Sequence, residues 1–242
     1  MLGLLLKMIR VHKALLGWAF AACCGWLPAR AEDFQFVPEI DAYLRLDSVV
    51  RVYFQAKDDR DAGDPLQSAV GPSVQLYLKP LVKLKRVTVF DLDDSKSRML
   101  VMETGYRYVT SPGAPTLNRW QSALTFNFPL QGGFLISDRN RADLDWQGGG
   151  FLWRYRNKVS LQRTVSIRSY HLSPYVAVEP YYLSQYHKVS TTDLYAGCVF
   201  PLGRHIQFDP YYEHENDTGK KRNQQKEDFG LALHLFIRPE KK

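Results

Sequence analysis

Residues 151–158 read FLWRYRNK, with Arg154, Arg156 and Lys158 on every second position and Phe151, Trp153 and Tyr155 between them. Side chains alternate faces only along an extended strand, so the aromatic set meets one medium and the cationic set another. A half-buried strand of a soluble sheet, a nucleic-acid platform and a wall strand of a membrane barrel would all show such a split. A stacking platform needs its aromatic and basic residues on one face, and here they lie on opposite faces. The stretch therefore predicts no nucleic-acid partner, and the choice narrows to two sheet architectures.

Period two dominates the rest of the chain. In RWQSALTFNF, Trp120, Leu124, Phe126 and Phe128 share one parity with Ser122, against Arg119, Gln121, Ala123, Thr125 and Asn127. Val50, Val52 and Phe54 oppose Arg51 and Gln55; Leu100, Met102 and Tyr106 oppose Glu103 and Arg107; Val176, Val178 and Tyr182 oppose Glu179. Near the end, Ile206, Phe208 and Tyr212 oppose Asp209 and Glu213, and Phe229, Leu231, Leu233, Leu235 and Ile237 oppose small residues and His234. No sustained 3.6-residue period competes with this pattern. FLISDRNRADLDW is the weakest strand, polar on both parities past Ser137.

In a soluble sandwich the charged parity faces bulk water and favours mixed Lys, Glu, Ser and Thr. Here the polar parity favours Arg and Glu with Tyr and Gly, which fit a narrow lumen where Arg pairs with carboxylates and Tyr fills space. The short connections PLQGG and PLGRH and the longer polar stretches KDDRDAGDPLQ and NDTGKKRNQQKED suit the turns and loops of an outer-membrane barrel. The expected fold is all-β: an antiparallel up-and-down transmembrane β-barrel of about 10 strands (10–12), with both termini on the periplasmic side. The segment 81–97 reads as either an extended turn or an extra hairpin. Trp120, Trp146, Trp153, Tyr106, Tyr108, Tyr181, Tyr182, Tyr186, Tyr211 and Tyr212 gather toward strand ends, as the anchoring girdles of such a barrel do.

The N-terminus fits export. Lys7, Arg10 and Lys13 precede an apolar run from Ala14 to Leu27, then Pro28-Ala29-Arg30-Ala31, which predicts a cleaved signal peptide over 1–31 and a barrel over 32–242. The apolar run is shorter than the ~20 residues of a spanning helix. FAAC, ending at Cys23, loosely matches a lipidation motif as an alternative. Cleavage after Ala31 removes Lys7, Arg10, Lys13 and Arg30 with no acid, so the formal charge falls from +7 to about +3 and the basic excess belongs mostly to the leader. Only Cys198 would then remain, leaving no intramolecular disulfide.

From Phe134 onward four blocks carry a family resemblance: SDRNRADLDW with FLWRYRNK, SPYVAVEPYYLSQY, LYAGCVFPLG, and FDPYYEHENDTGKKRNQQKEDFGLALHLF. In these the chain resembles the outer-membrane barrel proteins grouped as domain of unknown function 2490. The resemblance covers roughly the last 105 residues, and the first half matches only in its alternation. It implies an exported, membrane-embedded barrel, with outer-membrane lipid and the barrel-assembly machinery as partners. It implies no activity.

The residues with the most chemistry are the inward charges Arg51, Glu103, Arg107, Arg119, Arg139, Arg141, Asp143, Arg154, Arg156, Lys158, Glu179, Asp209, Glu213 and Glu215. Basic residues cluster mid-chain and acids near the end, so facing into one lumen they are expected to neutralise each other. Such a network either holds the strands in register or binds a small anionic ligand or solute. No pair of histidines at i, i+2 and no Cys-x-x-Cys occurs, so no metal or cofactor is expected. His214 in EHE faces away from Glu213 and Glu215, and Ser184 and His187 lie near a strand end without an orienting acid in view. The sequence therefore predicts a non-enzymatic barrel of structural, permeability or binding role. The alternatives are an outer-membrane lipid- or lipopolysaccharide-modifying enzyme and a soluble periplasmic lipocalin-like barrel.

Overall fold

The structure is a computed structural model that describes residues 34–61, 64–78, 92–168, 170–219 and 223–237. The expected leader over 1–31, and 81–91 of the ambiguous segment, lie outside the described residues. The strands are β1 (Phe34–Arg45), β2 (Val50–Asp61), β3 (Asp64–Leu78), β4 (Leu100–Thr110), β5 (Leu117–Pro129), β6 (Phe134–Gln147), β7 (Gly150–Arg163), β8 (Val165–Ile167), β9 (Tyr170–Leu183), β10 (Lys188–Leu202), β11 (Ile206–Asp217) and β12 (Gln224–Ile237).

Apart from the step from β7 to β8, each strand pairs antiparallel with its sequence neighbours, and β12 pairs with β1 to close the sheet. The three residues of β8 continue β7 past Thr164 along the same partner, β9, so the barrel has eleven walls. An odd number of up-and-down strands brings the first and last together in parallel, and β1 and β12 pair that way from Phe34↔Glu227 to Leu44↔Ile237. This corrects the expectation that both termini share one side: β1 starts at one mouth and β12 finishes at the other. These are called the N-terminal and C-terminal mouths below.

The two parities separate as the sequence requires, with polarity inverted relative to a water-soluble core. Buried residues include Arg51, Arg107, Arg119, Asp143, Glu103, Glu179, Asp193 and Gln121, while Ile40, Phe54, Met102, Trp120, Phe151, Trp153, Val176 and Leu194 are exposed. Tight turns join many strands. Gly148 and Gly149, at φ 57° and 82°, make the two-residue β6–β7 hairpin, a left-handed conformation that glycine adopts without steric cost. The Asp47 side chain accepts from the backbone N–H groups of Val49 and Val50 (2.6 and 2.7 Å) in the β1–β2 turn, and these bonds hold its carboxyl below the usual range.

KDDRDAGDPLQ is not a long loop. β2 runs to Asp61 and β3 begins at Asp64, because Lys57 and Asp59 keep the inward parity and find lumenal neighbours. Likewise NDTGKKRNQQKED is mostly strand. Of the expected girdle, Trp120, Trp146, Trp153 and Tyr108 face outward near the N-terminal mouth, where Trp146 packs on Phe151 and Trp153 on Tyr182. Tyr181 instead points inward, 8% exposed and bonded to Arg156. Tyr211 lies over Gly230, its cross-strand partner, where an added Cβ would overlap the ring, and Tyr175 lies over Gly197 in the same way. Glycine opposite tyrosine lets the ring lie flat on the inner wall and fill the lumen.

β6 is polar on its outer face too. Asn157 Nδ2 donates to Asp138 Oδ1 (2.7 Å) and Asn140 Oδ1 (3.1 Å), and the Tyr155 hydroxyl also donates to Asn140. Mutual hydrogen bonding lets these side chains sit in an otherwise apolar wall.

Candidate functional site: a lumen with two cavities

Every residue of the expected charge set sits on a strand at an inward position, and the lumen holds two connected polar cavities. One, of about 350 Å³, lies toward the C-terminal mouth; the other, of about 430 Å³, lies toward the N-terminal mouth. Arg139, Arg141, Lys158, Asp209 and His234 border both.

The first cavity is built around Arg51, which is 2% exposed. Its Nε and Nη2 donate to Gln75 Oε1 (2.9 and 2.6 Å), its Nη1 binds Asp93 Oδ1 at 2.6 Å, and the guanidinium stacks 4.3 Å from the Tyr43 ring centre. Gln75 passes the chain on to Glu103, which also accepts from Tyr53 (2.8 Å), Gln121 (3.1 Å) and Arg139 (2.9 Å). Burial of this carboxylate is offset by four donors converging on it.

Asp93 belongs to the connection from β3 to β4, whose described part contains a 3-10 turn, Asp94–Ser97, rather than a hairpin. This strap crosses the C-terminal mouth. Asp94 binds Arg45 (2.8 Å) and the Tyr77 hydroxyl (3.0 Å) on one side; Asn127 Nδ2 donates to the carbonyls of Ser95 (3.1 Å) and Arg98 (2.8 Å), and Lys96 Nζ donates to Gln162 (2.9 Å) on the other. Burial raises the cost of charge on Asp93, yet Arg51, Lys96 and a hydrogen bond from the Ser95 side chain together hold its carboxyl well below the usual range.

The second cavity is electrically divided. On β6 and β7, Asp143 is fully buried between Arg141 and Arg154, each bound through Nε at 2.6 Å. Arg119 forms a bidentate pair with Asp145 (2.7 and 3.0 Å). Arg156 binds Glu179 (2.8 Å) and the Tyr181 hydroxyl (2.6 Å), with Lys158 3.8 Å from the same carboxylate. Arg107 uses neutral partners: Gln55, Ser73, the Tyr53 hydroxyl and three backbone carbonyls.

Beyond β9, the strands β10, β11 and β12 present Asp193, Glu213, Glu215 and Asp228 to the same cavity, with Asp193 on β10 nearest to the arginine strands. Glu215 binds Lys226 at 3.2 Å, and the Tyr195 hydroxyl reaches Asp193, Glu213 and Glu179 (3.1, 2.9 and 3.2 Å). The mid-chain cations and late acids therefore neutralise one another only in part: Glu179 pairs with Arg156 and Lys158 as expected, whereas Asp209, Glu213 and Glu215 make no ion pair with the arginine cluster among the described residues, its other partners being Glu103, Asp143 and Asp145. Sequence reading missed Asp93, Asp145, Asp193, Asp228, Glu39, Asp41, Lys57 and His234 as lumenal charges. The parity rule that found Glu213 applies equally to Asp193 and Asp228, whereas the contribution of Asp93 from a connecting strap leaves no periodic signal.

The histidines are engaged locally. His214 faces outward, as its position in EHE requires, and its Nδ1 lies 2.9 Å from Glu227 Oε1, a cross-strand carboxylate that also accepts from the Tyr212 hydroxyl. The Ser184 Oγ accepts from the backbone N–H of Trp153 (3.0 Å), and His187 occupies a positive-φ position in the same turn. His234 points into the lumen, 3.2 Å from Asp41. Cys198 is a free, half-buried thiol.

A family model of proteins of unknown function, DUF2490, matches residues 96–226. This chain belongs to the DUF2490 family. The matched region starts upstream of the four blocks at Phe134 and runs from the strap through β11 to the first residues of β12, so it spans the arginine wall and most of the acidic wall. No curated protein matches the DUF2490 chain.

Proposed function

We propose that this DUF2490 protein is a bacterial outer-membrane β-barrel whose polar lumen takes up or passes small charged solutes. The observation that carries the reading is the inverted polarity of a closed barrel. Large apolar side chains are exposed on all sides, from Ile40 and Phe54 through Val176 to Ile237, while arginines and carboxylates fill the interior. In water such a wall would be a large unpartnered apolar surface. In lipid it is the low-energy face, and closure into a barrel pairs the strand edges as a membrane demands.

Outward aromatics at the N-terminal mouth and the leader-like residues 1–31 support the same reading. A soluble lipocalin-like barrel would need an apolar cavity, and the described lumen is lined by charge. The test is fractionation of the expressed full-length protein with unboiled and boiled samples compared on an SDS gel. Recovery in the outer membrane with a heat-dependent shift is expected; a soluble periplasmic protein without a shift would overturn the proposal.

A further inference from the structure

We infer that the cavity toward the N-terminal mouth is a binding site for a small zwitterionic solute, its anionic group held by Arg141 and Arg154 and its cationic group by Asp193, Glu213 and Asp228. The inference rests on the proposed solute-handling role and names the class of solute.

The argument starts from unbalanced charge on each wall. Arg141 and Arg154 share one carboxylate, Asp143, and each spends only its Nε on it. Among the described residues no Nη group of either arginine donates a hydrogen bond, and both side chains line the cavity. Arg119, Arg141 and Arg154 share the two carboxylates Asp143 and Asp145, which leaves one guanidinium charge in excess and unused Nη donors on two arginines that line the cavity. That is the arrangement that binds a carboxylate, sulfonate or phosphate through paired hydrogen bonds.

The facing wall has the opposite imbalance. Asp228 is 8% exposed and makes no hydrogen bond or ion pair among the described residues. Asp193, 1% exposed, accepts from the Tyr195 hydroxyl on Oδ2 and has the Tyr181 hydroxyl beside it, while its buried Oδ1 has no donor within good hydrogen-bond geometry among the described residues. Among the described residues Glu213 accepts a side-chain hydrogen bond from Tyr195 alone. The cations nearest that wall have closer partners, Lys57 with Asp59 (3.5 Å) and Lys226 with Glu215 (3.2 Å), and act on Asp228 only from beyond ion-pair distance; Lys158, on β7, is held by Glu179 and the Tyr195 ring. A buried carboxylate without a counter-charge is expensive, and neighbouring like charges add to the cost. An ammonium group on a bound solute would supply both the counter-charge and the donors these oxygens lack.

The two walls lie at matching depth. Asp143 and Arg154 are four residues inside the ends of β6 and β7 at the N-terminal mouth, Glu213 and Asp228 four inside those of β11 and β12, and Asp193 five inside that of β10. In the ring order, β9 and β10 separate the arginine strands from β11 on one side, with the long arc through β1 to β5 on the other. A cavity of about 430 Å³ between them suits a molecule of amino-acid to small-peptide size. A field directed from one wall to the other aligns a molecule carrying both charges and gives a singly charged one only half of the available contacts.

The test is calorimetric titration of the purified full-length protein with three probes of one chain length: 5-aminovalerate, valerate and pentylamine. The zwitterion is expected to bind at least about 10-fold more tightly than either singly charged probe, a difference worth about 1.4 kcal/mol. D228N is expected to reduce 5-aminovalerate toward the affinity of valerate and leave valerate unchanged, and R154Q to reduce it toward pentylamine. Equal affinity for 5-aminovalerate and valerate, or binding of none of the three, overturns the inference on the wild-type protein alone, whatever the variants do. The heat-shift gel on the same sample separates the two readings, because its failure refutes membrane residence while the titration still reports on the site.

Discussion

Val176→Arg distinguishes a lipid-facing wall from a water-facing one. Val176 is 55% exposed and is the seventh of the 14 residues of β9, flanked across the sheet by Leu161 and Ala196. At ~3.3 Å per residue that strand is roughly 46 Å long, and a tilt of ~40° projects it to about 35 Å, longer than the apolar belt of ~25 Å. If the wall faces lipid as proposed, Val176 lies near the bilayer midplane, where an arginine costs about 2–4 kcal/mol. On a water-facing surface the same change would be worth within about 0.5 kcal/mol. Leu202→Arg is the matched control: Leu202 is 51% exposed but ends β10 at the C-terminal mouth, where the cost falls to about 0–1 kcal/mol. Reversible urea unfolding from phospholipid vesicles reads both, and with a slope of ~2–3 kcal/mol per M the Val176→Arg midpoint should drop by about 1–2 M. Equal midpoints for the two variants, both within ~0.3 M of wild type, would refute a lipid-facing wall.

Arg51→Met should loosen the strap across the C-terminal mouth, since it removes the Asp93 ion pair and both bonds to Gln75. Amide hydrogen exchange at Lys96 and Arg98, whose N–H groups close the 3-10 turn, should rise at least about 10-fold, and unchanged protection would refute the pinning role. The carboxyl of Asp93 is depressed in the folded state, so its stabilisation is fully present above the unfolded value near pH ~4 and is lost as pH falls below it. Protection of the strap should therefore decline with acid in the wild type and change less in Asp93→Asn; parallel pH profiles would contradict that linkage. Gly230→Val should overlap the Tyr211 ring and cost about 1–3 kcal/mol, and Tyr211→Ala should relieve most of it in the double variant. Additive losses in that cycle would show that the ring does not depend on the glycine.

The sequence alone determined the alternation, and with it the assignment of nearly every side chain to the wall or the lumen, because a strand period of two leaves no freedom once one face is known. FLWRYRNK has Phe151, Trp153 and Tyr155 outside and Arg154, Arg156 and Lys158 inside, as its spacing requires. Tertiary closure decided the rest. Whether a meander closes at ten or eleven strands depends on which residues pair around the whole ring, so the parallel β1–β12 seam and the opposite placement of the termini have no local signature. The same holds for charge. Composition suggests that cations and acids cancel, but pairing is set by cross-strand register, which places Asp143 beside Arg154 and leaves Asp193 and Asp228 each with a buried oxygen that no donor among the described residues reaches. A side chain's face follows from its neighbours in sequence, whereas its electrostatic partner follows from its neighbours around the barrel.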